Sequence, residues 1–323
     1  MKKKTKISVV LMVTLILVTG IIIGIGNYFF SYALVRKDDN NVSASKRKVA
    51  STTSQQMQNI IDENYQSQLK RTKSWLESVN QKIVSIVSVD NLSLSGSEFI
   101  AENNLHKYAI IAHGYTQNKT SIYDIAEKYN QKGYTVITPD LRAHGESDGK
   151  YIGMGWLDRL DMLNWISLII KEDPKAKIVL HGISMGGATV MMTSGENLPK
   201  NVIAIVEDCG YTSVFDVFSS ELKIRFNLPP FPIMNSASFV SKIRAGYYFK
   251  EASSINQIKK STTPTLFIHG TNDNFIPVDM CHKIFDVASC KKEKLIINGA
   301  GHSQSRFLEP DTYYNTVFNF INM

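Results

Sequence analysis

The chain has 323 residues, of which 43 % are hydrophobic and 20 % charged, ordinary proportions for a folded protein and enough for one large α/β domain with an appendage. Its formal net charge of +7 sits mainly in the first fifty residues, at Lys2, Lys3, Lys4, Lys6, Arg36, Lys37, Lys46, Arg47 and Lys48. No basic stripe interleaved with aromatics follows in the body, so no nucleic-acid partner is expected. The three cysteines, Cys209, Cys281 and Cys290, are an odd number without metal-like spacing and read as buried small residues or inert thiols.

From Ile7 to Phe30 no residue is charged, and Ile, Val and Leu dominate. As a helix this run extends about 36 Å, enough to cross a bilayer with some tilt. Tyr28, Phe29, Phe30 and Tyr32 stand at its far end, where an aromatic belt belongs. A cleaved signal is the competing reading, but its apolar core is usually shorter and no small-x-small cleavage site follows. Residues 1–35 are therefore expected to be a single-pass membrane anchor. With Lys2, Lys3, Lys4 and Lys6 before it, the amino terminus is expected inside and the rest of the chain on the outer cell surface, although Arg36 and Lys37 weaken the bias.

Residues 36–82 read as a polar linker followed by an amphipathic helix over about 56–80. There Ile60, Ile61, Tyr65, Leu69, Trp75, Leu76 and Val79 recur at three- and four-residue spacing and are expected to pack on the body. The body, 83–323, alternates strand and helix. Residues 83–89 and 92–100 read as an antiparallel opening pair, 108–112 as a strand, 122–131 as a helix, 134–138 as a strand and 156–171 as a helix. Further strands are expected at 177–181, 202–206, 265–269 and 294–297, helices at 278–288 and 313–321. Such alternation implies a doubly wound, mostly parallel sheet, with ligands bound outside the carboxyl ends of its strands.

Between the strand at 177–181 and a helical run lies Gly182-Ile183-Ser184-Met185-Gly186-Gly187. In this strand-to-helix context a Gly-x-Ser-x-Gly sequence reads as a nucleophile elbow: a strained turn that lifts the serine hydroxyl clear of the sheet while small neighbours let backbone pass close by. The excursion over about 212–256 reads as a cap insertion. It is rich in aromatics, and Pro229-Pro230-Phe231-Pro232 divides it into two helical pieces. Its apolar side chains pack the cap onto the body, and some are candidates for a pocket wall.

With these elements in order, the chain resembles an α/β-hydrolase fold serine hydrolase over roughly 83–321. The cues are His113-Gly114-Tyr115, Asp140-Leu141-Arg142-Ala143-His144-Gly145-Glu146-Ser147, the Ser184 elbow, His269-Gly270-Thr271-Asn272-Asp273 and Gly299-Ala300-Gly301-His302. Within that superfamily it is similar to the esterase, monoacylglycerol-lipase and serine-aminopeptidase-like group, and its anchor resembles that of bacterial cell-surface members. The resemblance implies an α/β-hydrolase fold, preceded here by one transmembrane helix, and a Ser-His-Asp triad.

A serine hydroxyl needs an adjacent base. Of the seven histidines only His282 and His302 follow the last strand-end carboxylate. His282 falls in the helix at 278–288, whereas His302 lies in a Gly-Ala-Gly-His loop and is taken as the base. Asp273 precedes it and is taken as the acid, in the order Ser, Asp, His that this fold uses. Asp208, at the end of the preceding strand, is the rival, and Asp140 reads as a loop-bracing residue. The backbone N–H groups of Tyr115 and Met185 are the expected oxyanion donors. His113 and His181 are expected to support loops. No metal cluster or phosphate-binding loop is legible, so no cofactor is expected. The expected activity is cleavage of a small-molecule or lipid-like ester through an acyl-enzyme. A peptidase or acyltransferase of the same fold, or a non-catalytic surface binding module, are the alternatives.

Overall fold

The computed structural model describes residues 2–36, 53–103 and 105–322. Most of the expected polar linker, including Lys46, Arg47 and Lys48, lies outside the described residues. Two helices come first, α1 (Lys2–Leu34) and α2 (Gln55–Leu76), then β1 (Asn80–Val87), β2 (Ser93–Ile100), β3 (Lys107–Ala112), α3 (Tyr123–Gln131), β4 (Thr135–Pro139), α4 (Asp158–Glu172), β5 (Lys177–Ile183) and α5 (Met185–Ser194). After β6 (Val202–Asp208) come the cap helices α6 (Val214–Phe226) and α7 (Ile233–Ala245) and the short α8 (Ser254–Ile258). β7 (Thr265–Gly270), α9 (Val278–Val287), β8 (Lys292–Ile297), α10 (Ser305–Leu308) and α11 (Pro310–Ile321) complete the body.

The described strands form one eight-stranded sheet in the order β1-β2-β4-β3-β5-β6-β7-β8. The β1–β2 and β2–β4 pairs are antiparallel, and all later pairs are parallel. This is the expected α/β-hydrolase architecture. The continuous apolar runs of β3 and β5 follow from burial on both faces. Ile110, Ile178 and Leu180 point to the side of Trp165 and Ile166 on α4, while Ala109, Ile111 and Val179 meet Ile125 and Tyr129 on α3 and Tyr313 on α11. The break in the cap falls where expected: Asn227 ends α6 in the left-handed conformation (φ 53°), and the prolines at 229, 230 and 232 precede α7.

Two elements sit differently from the expectation. On α2, Ile60, Tyr65 and Leu69 are exposed, while Ile61, Gln68 and Thr72 are buried. The cause is Glu127 on α3, whose buried carboxylate accepts hydrogen bonds from Gln68 Nε2 (2.6 Å) and Thr72 Oγ1 (2.8 Å). A buried carboxylate needs donors more than the helix needs an unbroken apolar stripe.

The second is the end of α1. From Ser8 onward the helix is apolar and for most of its length exposed, the span Ser8–Leu34 being long and apolar enough to cross a membrane. Its last turns are not a free-standing stalk. Phe30 and Leu34 are fully buried in the same core as the sheet, burial that stabilises the contact by about 1.5–3 kcal/mol per side chain. Val35 bridges Tyr151, the Ile152 N–H donates to the Leu34 carbonyl (2.8 Å), and the Arg36 guanidinium donates to the carbonyls of Gly145 and Ser147, each at 2.6 Å. Arg36, counted in the sequence as a flanking charge, is therefore a structural brace.

Candidate active site

The carboxyl ends of β3, β5, β6 and β7 meet on one edge of the sheet. There Ser184 links β5 to α5 with φ 58° and ψ −113°, a conformation that non-glycine residues adopt only when their surroundings enforce it. The enforcement is local. A methyl group at Gly182 would overlap the Gly186 carbonyl, and one at Gly186 would overlap the Ala112 carbonyl on β3. The Ser184 N–H donates to the Asp208 carbonyl at 2.8 Å, which ties the turn to the end of β6. The hydroxyl is thereby held at the floor of a cavity, with Ser184 only 4 % exposed.

The structure brings Ser184, His302 and Asp273 together. His302 Nε2 lies 2.8 Å from Ser184 Oγ, and His302 Nδ1 lies 2.7 Å from Asp273 Oδ2. An ionised Asp273 can only accept, so it fixes the imidazole proton on Nδ1 and leaves Nε2 free to accept from the serine. The other carboxylate oxygen accepts the N–H groups of Phe275 and Ile276, both at 2.8 Å. Burial alone would raise the Asp273 pKa, but His302 and His269 beside it hold it well below the usual carboxylate range. The Phe275 ring packs edge-on against His302 at 4.9 Å, limiting its swing.

The rival acid is elsewhere. The Asp208 side chain is fully buried and accepts from Tyr313 Oη at 3.1 Å, while its main chain, not its carboxylate, serves the serine turn. His282 lies on α9 with Nδ1 3.1 Å from Lys294 Nζ, away from the cavity. Cys209 Sγ comes within 4.8 Å of the Asp273 and His302 ligand atoms, but both are already committed to each other. Burial pushes the Cys209 thiol well above its usual range, which disfavours the thiolate.

Tyr115 and Met185 both line the cavity beside Ser184. Met185 is the first residue of α5, so its N–H is one of the helix-start donors with no intrahelical acceptor. Segment 114–115 passes close to the serine: a Cβ on Gly114 would lie 3.5 Å from Ser184 Cβ. This segment is braced by the loop after β4. His113 Nδ1 donates to the Gly114 carbonyl (2.8 Å), and His113 Nε2 accepts from the Leu141 N–H (3.0 Å). His144 Nε2 accepts from the Thr116 N–H (3.2 Å), and Asp140 accepts from the Lys119 N–H (2.7 Å) and Nζ (2.8 Å). Burial pushes His113 down to about 4 and His144 to about 3, so both rings stay neutral and can accept. His181 instead sits under the sheet between the hydroxyls of Tyr129 and Tyr313.

The cavity measures about 440 Å³, within the ~300–1,000 Å³ range of small-molecule sites. Val217, Phe218, Leu222 and Phe249 of the cap form much of its wall. Sequence reasoning missed three further wall residues, Phe29, Tyr32 and Ala33, which come from the end of α1. Their aromatic cluster was the available signal, and it is equally the signature of an interfacial belt.

Comparison with known proteins agrees with this architecture. The family described as serine aminopeptidase, S33, matches residues 103–207. The Bacillus subtilis protein YqkD is 28 % identical over 224 residues, covering 69 % of this chain and 73 % of its own. A Haemophilus influenzae putative esterase/lipase is 24 % identical over 245 residues, covering 66 % and 82 %. Among solved structures, the Pyrococcus furiosus esterase Pf2001 superposes with a TM-score of 0.62 at 24 % identity, over 76 % of this chain and 93 % of that one. The Pyrococcus horikoshii acylaminoacyl peptidase gives 0.56 at 17 % identity, over 75 % and 41 %. Sheet order, serine turn and these likenesses together make the chain an α/β-hydrolase-fold protein with esterase- and lipase-like relatives.

Proposed function

We propose that the chain is a serine hydrolase that cleaves carboxylic esters through an acyl-enzyme, with Ser184 as nucleophile, His302 as base and Asp273 as acid. The observation that carries this reading is the hydrogen-bonded chain Ser184–His302–Asp273 at the floor of an apolar cavity. Ser184 Oγ attacks the ester carbonyl as His302 Nε2 takes its proton. The carbonyl oxygen becomes an oxyanion opposite the N–H groups of Met185 and Tyr115. His302 then returns the proton to the departing alcohol, leaving an acyl-serine. Water attacks that ester with His302 again as base and releases the acid. Asp273 stays ionised throughout and stabilises the imidazolium.

The pocket favours an ester over a peptide with a free amino end. Such a peptide needs a carboxylate to hold its ammonium group. Among the described residues lining the cavity the one carboxylate is Glu221, and it is bonded to Arg225 Nε at 2.6 Å. Fluorophosphonate labelling followed by a series of esters from acetyl to long-chain acyl tests the reading. Phe218→Ala and Leu222→Ala are expected to shift the chain-length optimum, because contacts remote from the reacting carbonyl supply binding energy. Equal losses on every ester, with a lower melting temperature, would reduce these residues to cap packing.

The same reading keeps α1 on the mature protein as a single-pass anchor, with the hydrolase body outside the cell. The burial of Phe30 and Leu34 supports retention, and the four lysines ahead of the apolar span Ser8–Leu34 support the orientation. An impermeant protease applied to intact cells is expected to remove the body while a cytoplasmic marker survives. Full protection of a body that is cleaved after lysis would overturn the orientation.

A further inference from the structure

The membrane helix and the substrate cavity share residues, which bears on where the substrate comes from. Phe29, Tyr32 and Ala33 line the cavity from α1, and the Tyr115 hydroxyl donates to the Ala33 carbonyl at 2.6 Å. Phe226, the last residue of α6, meets Phe29 and Tyr32 edge-on at 5.1 and 5.8 Å. Tyr32 and Phe226 are both cavity-lining and 37 % exposed, so they mark an aromatic lip of the mouth, where Arg225 Nη1 donates to Tyr32 Oη (3.4 Å); Thr116 and Gln117 are further exposed lining residues.

The height of this lip relative to a bilayer follows from how α7 docks on α1. Ser236 Oγ donates to the Ile22 carbonyl (2.8 Å), and Arg244 Nη1 donates to Asn27 Oδ1 (2.7 Å) and Ser31 Oγ (2.9 Å). The two helices therefore run in the same direction, and the start of α7 lies level with Ile22. A hydrocarbon core of about 30 Å that begins at Ser8 ends some twenty residues on, near Asn27 and the exposed Tyr28. The tip between α6 and α7, with Phe231 75 % exposed, is then about 8 Å below that surface, the depth at which amphipathic segments seat in an interface. Ile243 and Phe239 on α7, the helix docked on α1, are also exposed, at 69 and 47 %. Isolated exposed apolar residues need no explanation, but three of them on a loop and helix docked against a membrane-length helix do.

We propose that the last turns of the membrane helix are a specificity wall of the acyl pocket and that the α6–α7 tip seats in the bilayer beside it, so that the substrate is an acyl ester drawn from the membrane itself. This rests on the serine-hydrolase reading above. The acyl chain enters past Tyr32 and Phe226 and lies against Phe29 and Ala33, and the polar head stays at the Thr116 and Gln117 side.

The test uses the full chain reconstituted in phosphatidylcholine–phosphatidylglycerol vesicles. A fluorophore attached through Phe231→Cys, with the unsubstituted chain as labelling control, is expected to be quenched by lipids carrying a shallow acyl-chain nitroxide. No quenching, or self-quenching between copies that is indifferent to the nitroxide lipid, overturns the seating. The second measurement is the ratio of turnover of a long-chain monoacyl ester held in the vesicles to that of soluble p-nitrophenyl acetate. Ala33→Trp is expected to lower this ratio by about tenfold, since bulk in the acyl subsite costs the long-chain ester more than it costs the acetate. Phe29→Ala, which removes wall instead of adding bulk, decides the matter if the tryptophan variant does not fold. An unchanged ratio in a folded variant overturns the wall. Fluorophosphonate labelling of the parent separates the two readings: labelled protein with an unchanged ratio refutes this inference alone, and unlabelled parent refutes the hydrolase reading with it.

Discussion

Ser184→Ala is expected to abolish fluorophosphonate labelling and to lower ester turnover by on the order of 10⁴-fold or more while the protein stays folded. The size follows from the geometry. Ser184 Oγ lies 2.8 Å from His302 Nε2, and in the proposed mechanism His302 has no nucleophile to activate without it. Removing the hydroxyl relieves no packing that the fold needs, because the strained turn is held by Gly182, Gly186 and the Asp208 carbonyl and not by the serine side chain. Circular dichroism and thermal melting of the variant separate lost chemistry from lost structure. Parent-like hydrolysis of a simple ester by the alanine variant would remove Ser184 from the reaction.

Asp273→Asn is expected to cost about 10⁴-fold in turnover, whereas Asp208→Asn costs far less. An asparagine keeps the shape of the site, but its amide can present an N–H to His302 Nδ1 and so favour the tautomer that carries its proton on Nε2, where it cannot accept from Ser184. Two backbone N–H groups, from Phe275 and Ile276, hold the Asp273 carboxylate, so the amide oxygen is drawn to them and the amide nitrogen is turned toward the histidine. Asp208 has no such partner, and its carboxylate meets the Tyr313 hydroxyl. Measured turnover of the two variants on the same acetyl ester ranks them. The opposite ranking would move the acid from the end of β7 to the end of β6.

Much of this protein is written in short-range sequence. The β3 and β5 strands are legible because both faces of a parallel sheet are buried, which demands unbroken apolar runs. The serine turn is legible because only glycine at 182 and 186 lets β5, α5 and β3 approach so closely. The cap is legible as an insertion, and its division into α6 and α7 follows from three prolines in four residues. The residues that meet at Ser184 were nameable because the resemblance implies the order Ser, Asp, His, and strand ends then restrict which carboxylate and which imidazole fit it. Chain order favoured Asp273 over Asp208, both at strand ends, and the structure adds that the Asp273 carboxylate lies 2.7 Å from His302 Nδ1 while that of Asp208 meets Tyr313.

Other decisions lie wholly outside local pattern. On α2 the apolar spacing was real, yet Gln68 and Thr72 face inward because Glu127, more than fifty residues away in sequence, is buried and needs donors. The end of α1 is the larger case. Hydropathy identifies a membrane-length helix and cannot distinguish residues facing lipid from residues facing protein, because both environments select the same side chains. By itself, then, the sequence determined the sheet, the serine turn and the existence of the helix. Only the tertiary structure decided that Phe30 and Leu34 belong to the hydrolase core and that Phe29, Tyr32 and Ala33 wall its cavity, since burial against a distant surface leaves no trace in the spacing of apolar residues.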